Sequence, residues 1–227
     1  MRRVCRRFRR LCIIRKLSKN TPSHILANFE NIRYHYIFPA KGLYRIPPNI
    51  ISAQIYYCKV KIAHRMDYLL AMGVTLIQHV GIDELYVDWC FGIRISRVRD
   101  LKIRACKDLI IQNGVKYINT NSPCIIPQSV FKLKLIGIRN DLSNYPNITH
   151  LILKSAPGRN DTLTYPLHLK ILNIRLGHAP TATIPVSVEE LHINFAADIS
   201  HLVNLRVLYT TVIELLKLPP QEIEIFN

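Results

Sequence analysis

Apolar residues in the second half of the chain fall into a repeated frame, apolar-x-x-apolar-x-apolar. It is met at Val130-x-x-Leu133-x-Leu135, Ile148-x-x-Leu151-x-Leu153, Leu169-x-x-Leu172-x-Ile174 and Val188-x-x-Leu191-x-Ile193. Leu205-x-x-Leu208-x-Thr210 follows with a polar last member. Side chains alternate faces along a strand, so the last two apolar positions of a frame share one face and the residue between them takes the other. The pattern predicts one short strand per repeat. Pro127, Pro166 and Pro185 stand three residues before the first apolar position, and Pro146 two before. Each follows an apolar or aromatic residue (Ile126, Tyr165, Ile184, Tyr145). Proline lacks an N–H for a ladder, so these prolines mark turns that lead into strands.

The frame extends towards the N-terminus. Val98-x-x-Leu101-x-Ile103, Ile82-x-x-Leu85-x-Val87 and Ile50-x-x-Ala53-x-Ile55 fit it, the last with Pro47 in the expected place. Met66-x-x-Leu69-x-Ala71 and Gly114-x-x-Tyr117-x-Asn119 are poorer matches that complete a 16-residue spacing from 50 to 130. Beyond 130 the spacing is 18, 21, 19 and 17, and Ile223-Glu224-Ile225 supplies a last strand. No such unit buries its apolar face alone, so the reading is a solenoid whose stability depends on neighbouring units.

Three residues beyond the last apolar position come Cys58, Cys90 and Cys106; later repeats place Ile138, Ala156, Gly177 and Ala196 there. The resulting pattern, apolar-x-x-Leu-x-Leu-x-x-Cys over about residues 47–213, resembles the leucine-rich repeat. The Ile-Pro and Tyr-Pro lead-ins are similar to the short FNIP-type and bacterial-effector variants of that family. The resemblance implies a β-dominated solenoid of the α/β type, with a parallel concave sheet of about ten short strands. Units of 16 residues leave no room for a helix on the return path, so turns or 3-10 segments are expected on the convex side. The family's Asn ladder is missing, and cysteine fills its space with weaker hydrogen bonds.

Composition adds charge to this picture. The chain has 227 residues, 31 of them Lys or Arg against 15 Asp or Glu, for a net charge of +16. Residues 1–19 form an acid-free arm containing Arg2, Arg3, Arg6, Arg7, Arg9 and Arg10, and the remainder is still basic. Such a chain is attracted to polyanions of every kind. The arm reads as a basic or nuclear arm, a mitochondrial presequence, or a solvated tail. Residues 20–46, with Ile25, Leu26, Phe29, Ile32 and Tyr36 at helical spacing, are expected to form a helical N-terminal cap. No apolar run reaches the roughly 20 residues of a membrane-spanning helix. Six cysteines without a Cys-x-x-Cys, three of them in an inward column, point to core thiols in a reducing intracellular compartment. Two glycosylation sequons, at Asn147 and Asn160, read as chance matches.

The candidate partner-binding residues are the outward ones. Lys102, Arg104, Lys116, Lys132, Lys134, Lys154 and Arg175 predict a basic stripe along the sheet, with Tyr86 towards one end and His192 towards the other. Like charges on adjacent strands repel, so such a stripe calls for an anionic partner. No phosphate-binding loop, nucleophile motif, metal-binding motif or paired-acid cluster is present, and neither a cofactor nor an enzyme is expected. Three readings follow. The first is a non-catalytic protein-interaction scaffold, of viral or host-directed type by resemblance, that binds an acidic protein surface. The second is a nucleic-acid-binding protein using the arm and the groove, against which stands the scarcity of aromatic platforms between the charges. The third is a substrate-recognition subunit that joins an assembly through residues 20–46.

Overall fold

The structure, a computed structural model, describes residues 36–37, 43–137, 141–154, 164–175 and 183–226. They form two compact units. The first holds the described residues up to Lys116 with Ser122–Pro127; the second holds Tyr117–Asn121 and those from Gln128 onwards. Each is a parallel β-solenoid, and among the described residues the one helical element is a three-residue 3-10 turn, Ile213–Leu215. None is a helix long and apolar enough to cross a membrane.

The first unit contains β1 (Tyr36–Ile37), β2 (Leu43–Ile46), β3 (Ser52–Tyr56), β4 (Lys59–Met72), β5 (Leu76–Asp88), β6 (Arg94–Ile95), β7 (Val98–Arg104) and β8 (Ile110–Ile111). One ladder, β1–β3–β4–β5–β7, runs through the predicted frames. It stacks Ala53, Leu69, Leu85 and Leu101 in one buried column and Ile55, Ala71, Val87 and Ile103 in another. Met66 is buried as well, so the poorer repeat at 66 keeps the predicted register.

The return path departs from expectation. Leu43–Ile46 pairs with Lys59–Ile62, which pairs with Leu76–His79, and β6 pairs with β8. Strands stand where turns or 3-10 segments were expected. Val60, Ile62, Ile77, Ile93 and Ile95 are buried from that side. The alternation Lys59-Val60-Lys61-Ile62 gives the physical reason, since it presents a half-buried strand of its own. β4 and β5 serve both ladders, and their register shifts between Ile62 and Arg65, where β4 carries one extra residue.

Between the two ladders the chain turns through a left-handed residue in four successive turns: Tyr57 (φ 48°), Gly73 (61°), Trp89 (51°) and Ala105 (47°). The next residue points inwards each time, giving the buried column Cys58, Val74, Cys90 and Cys106. These cysteines are free thiols and act as a weak ladder. The Cys90 N–H donates to Cys106 Sγ (3.3 Å) and the Cys106 N–H to Ser122 Oγ (3.0 Å). The hydrogen bond from Cys106 and burial push the Cys90 thiol well above its ordinary value.

The second unit contains β9 (Tyr117–Thr120), β10 (Lys132–Ile136), β11 (His150–Lys154), β12 (Ile171–Arg175), β13 (Glu190–Ile193), β14 (Ala197–Asp198), β15 (Val207–Thr210), β16 (Leu216–Lys217) and β17 (Glu224–Phe226). Its ladder β9–β10–β11–β12–β13–β15–β17 buries Leu133, Leu151, Leu172, Leu191 and Leu208 in one column. Here the return path is mostly turns, as expected. Ile148, Val188 and Leu205 N–H groups each close a turn on the carbonyl three residues back. Tyr165 and Ile184, before Pro166 and Pro185, are buried, while Tyr145 before Pro146 is half-buried; Ile126, before Pro127, is buried in the first unit.

The absent asparagine ladder has a substitute at the opposite corner. Asn147 Nδ2 donates to the Gln128 carbonyl (2.8 Å), Asn204 Nδ2 to Val186 (3.0 Å) and Ser187 Oγ to Leu169 (2.9 Å). Each bond ties one turn to the turn before it. The return path also repeats a motif, Asp141-Leu142-Ser143 and Asp198-Ile199-Ser200, in which the carboxylate accepts from the serine N–H and hydroxyl. The Ser143 hydroxyl first, then Thr164 and the Ser143 N–H, hold the Asp141 carboxyl at about 2. Ser200 and Lys217 do the same for Asp198, also at about 2.

Three further expectations change. Tyr36, assigned to a helical cap, lies in strand β1, and β2 also falls inside 20–46; helix signals Ile25, Leu26, Phe29 and Ile32 and the basic arm lie outside the described residues. The repeat at 114 is out of register by one. Val115, Ile118 and Thr120 point inwards rather than Gly114, Tyr117 and Asn119, because valine and isoleucine bury more apolar surface than glycine and asparagine. In the last such column Phe195 is buried and Ala196 exposed, since the larger apolar group wins the interior; Ile138, Ala156 and Gly177 lie outside the described residues.

Candidate partner-binding face

In the first unit the outward positions of β5 and β7 face each other in register: Glu84 with Asp100, Tyr86 with Lys102, and Asp88 with Arg104. The expected cations are therefore neutralised locally. Lys102 Nζ lies 3.8 Å from Glu84, and Arg104 Nε lies 3.9 Å from Asp88 Oδ2. Tyr86 bonds to Arg104 and, with Asp88, raises the guanidinium above its ordinary value. Asp88 is buried to 6% exposure and its Oδ1 has no hydrogen-bond partner, so Arg104 serves as its counter-ion. Lys116 follows the corrected register: it precedes β9 as an exposed residue beside Val115 and is not a strand position. Lys102, Arg104 and Lys116 thus do not form a free basic stripe in this unit.

The second unit differs. Outward on β9–β12 stand Tyr117, Asn119, Lys132, Lys134, Ile136, His150, Ile152, Lys154, Ile171, Asn173 and Arg175. Four are cationic and none carries a carboxylate. Adjacent strands lie about 4.8 Å apart, so Lys132 and Lys134 on β10, Lys154 on β11 and Arg175 on β12 share a patch two spacings wide. Lys154 and Arg175 stand directly opposite each other. Lys132 sits 5.5 Å above the Tyr117 ring, a cation–π contact that holds its ammonium over the sheet. His150 packs edge-on to Phe131, and burial, then the charge of Lys132, pull its imidazole below the ordinary value.

Further along the same ladder the outward row becomes aromatic. His192 stacks on Tyr209 at 4.1 Å and 9°, and Tyr209 on Phe226 at 5.0 Å and 20°. His192 Nε2 lies 2.7 Å from Glu190, which fixes the ring edge. Beside His192 a groove of about 390 Å³ opens, lined by Asn173, Arg175, His192, Asn194, Tyr209 and Thr211. Asn173 Oδ1 is buried there without a hydrogen-bond partner. The structure therefore brings Arg175 and His192 together, with Lys154 beside Arg175, while Tyr86 belongs to the first unit's paired face. Asn173 and the Phe226 ring were missed in the sequence. Asn173 lies between Leu172 and Ile174, so the frame itself marks it as outward; Phe226 had no full frame to flag it.

Among the described residues no three His, Cys, Asp or Glu side chains gather in a metal-binding group. Comparison with protein-family models, with curated proteins and with solved structures returned no match.

Proposed function

We propose that this chain is a non-catalytic binding protein whose second unit recognises an acidic protein surface through its outward sheet face. The supporting observation is the run β9–β12, with four cations and no carboxylate, next to a groove that holds Arg175 and an unpartnered Asn173 oxygen. Cations kept side by side cost stability that a carboxylate-bearing partner would recover. The aromatic groups beside them are the kind of anchor that carries binding energy at interfaces. The turns on the second unit's return path support a likeness to short leucine-rich repeats, whereas the first unit is strand-built on both sides. Buried free thiols at Cys58, Cys90 and Cys106 favour a reducing, intracellular setting.

The stacked rings of His192, Tyr209 and Phe226 favour a second reading, single-stranded nucleic acid held by phosphate contacts and base stacking. Against it, the rings cover each other, which leaves only the end faces for a base.

Affinity capture from lysate with and without nuclease treatment, at about 50 and 300 mM salt, separates the readings when wild type is compared with Lys132→Glu/Lys134→Glu. The protein reading requires one partner that survives nuclease and high salt and disappears with the double charge reversal. Recovery of nucleic acid alone, or a partner indifferent to the reversal, would sink it.

A further inference from the structure

The first unit contains a second polar concavity, on the corner where its return strands pass into the frame strands. Four successive turns place Arg65, Gly81, Arg97 and Gly114 at that corner, arginine alternating with glycine. Arg65 pairs in register with Gly81, and the Arg97 carbonyl accepts the Ile82 N–H, so the three are consecutive rungs. A notch of about 320 Å³ opens over Gly81, walled by Arg65, Arg97, Arg99 and Asp83. It sits where β4 carries its extra residue, and bulges re-aim side chains at binding sites.

Nothing in the fold demands glycine at 81. Its backbone is outside the left-handed region, and a Cβ would meet only ordinary contacts, 3.8 Å from the Arg97 carbonyl and 4.0 Å from Arg65 Cγ. What glycine supplies is the empty space itself. Arg65 and Arg97 stand two rungs apart, about 9.6 Å between stems. Across such a span two guanidinium groups can close on one tetrahedral anion with charge-assisted contacts of about 2.8 Å.

The arginines are poised unequally. Asp83 Oδ1 accepts from Arg65 Nε (3.2 Å) and Nη2 (2.6 Å), which fixes that guanidinium. Arg99 Nε donates to Asp100 (3.2 Å). Among the described residues no carboxylate bonds Arg97. Burial, then the charge of Arg97, pull the His79 imidazole below its ordinary value, which disfavours its cationic form. With Arg65 paired to Asp83 and Arg99 to Asp100, the net positive charge of the notch is that of Arg97, and the planar forks of all three match phosphate oxygens better than lysine would.

We propose that the notch over Gly81 binds a phosphate dianion, either free or at the end of a phosphomonoester, between Arg65, Arg97 and Arg99. The test is calorimetric titration of the full chain at constant ionic strength with inorganic phosphate, with glycerol 3-phosphate and with acetate. Millimolar, saturable binding of the phosphates and none of acetate is expected. Tighter binding of one phosphate over the other identifies the free ion or the monoester as the natural form. Gly81→Leu fills the notch without changing charge, and Arg97→Gln removes its least engaged cation; each is expected to weaken binding at least tenfold. Lys61→Gln, an equal loss of charge at an exposed strand position, is expected to leave it unchanged. Absence of saturable binding, or Arg97→Gln no weaker than Lys61→Gln, would overturn the proposal and leave only diffuse attraction to the net positive charge. If Gly81→Leu fails to melt cooperatively, the exposed Arg97 comparison decides alone.

Discussion

Gly73→Ala tests the left-handed corner that joins the two ladders of the first unit. The backbone there has φ +61°, and an added Cβ would lie 2.4 Å from Tyr57 Cδ1 and 2.5 Å from Cε1. Two costs combine. Holding alanine in the left-handed region costs about 1–2 kcal/mol. The Tyr57 ring, 62% exposed, must also swing away and give up its packing on the glycine, at a cost of about 0.5–1 kcal/mol on the scale of an exposed aromatic contact. Alanine also loses less chain entropy on folding than glycine, which offsets about 0.5 kcal/mol. The expected loss is therefore about 1–2.5 kcal/mol, read as a lower urea midpoint at unchanged slope. Repeating the substitution in a Tyr57→Ala background removes the ring and should recover about 0.5–1 kcal/mol of coupling. An undiminished cost in that background would show that the ring contact contributes nothing. No cost in either background would refute the left-handed corner itself.

The remaining predictions concern the same scaffold. Asp141 and Asp198 have folded-state values of about 2 against an ordinary 3.8, so the folded state binds protons less readily than the unfolded one. Their contribution is complete above about pH 4 and is lost as pH falls towards 2; Asp141→Asn/Asp198→Asn should flatten the urea midpoint over that window. Cys58, Cys90 and Cys106, all buried, should resist native-state alkylation and react only in denaturant, with the sites assigned by peptide mass spectrometry. Prompt native labelling of Cys90 would contradict its hydrogen-bonded burial. Leu151→Ala, at a fully buried central rung, should cost about 2–5 kcal/mol in the same denaturation assay. Lys154→Ala, at an outward position of the same strand, should stay within about 0.5 kcal/mol.

The inward columns were legible because aliphatic residues at a three-plus-two spacing leave one register that buries them all. Leu133, Leu151 and Leu172 needed no tertiary information. At 114 the same logic was defeated by a one-residue slip: an unbroken spacing of 16 pointed to Gly114, while the apolar residues Val115 and Ile118 lay one position later. The return strands of the first unit were hidden because Val60 and Ile62 belong to no Leu-rich frame, although their alternation with Lys59 and Lys61 was in plain view. Charge pairing was beyond a one-dimensional reading. That Lys102 meets Glu84 and Arg104 meets Asp88 depends on which strands become neighbours. The basic face survived on β9–β12, whose own outward positions carry no acid. The stacked His192, Tyr209 and Phe226 likewise became one feature only once β13, β15 and β17 were in register.

The two kinds of return path set different tolerances for change in chain length. Where both sides of a turn are laddered, as from β2 to β5, an inserted residue would invert the facing of every side chain beyond it unless it is expelled locally. The extra residue between Ile62 and Arg65 is such an expulsion, and it falls at a corner that can absorb it. Where the return is built from turns, repeats of 17, 18, 19 and 21 residues coexist on a single ladder. Length variants and grafted segments should therefore be accepted on the second unit's return path, leaving its outward sheet face in register, and rejected by the first.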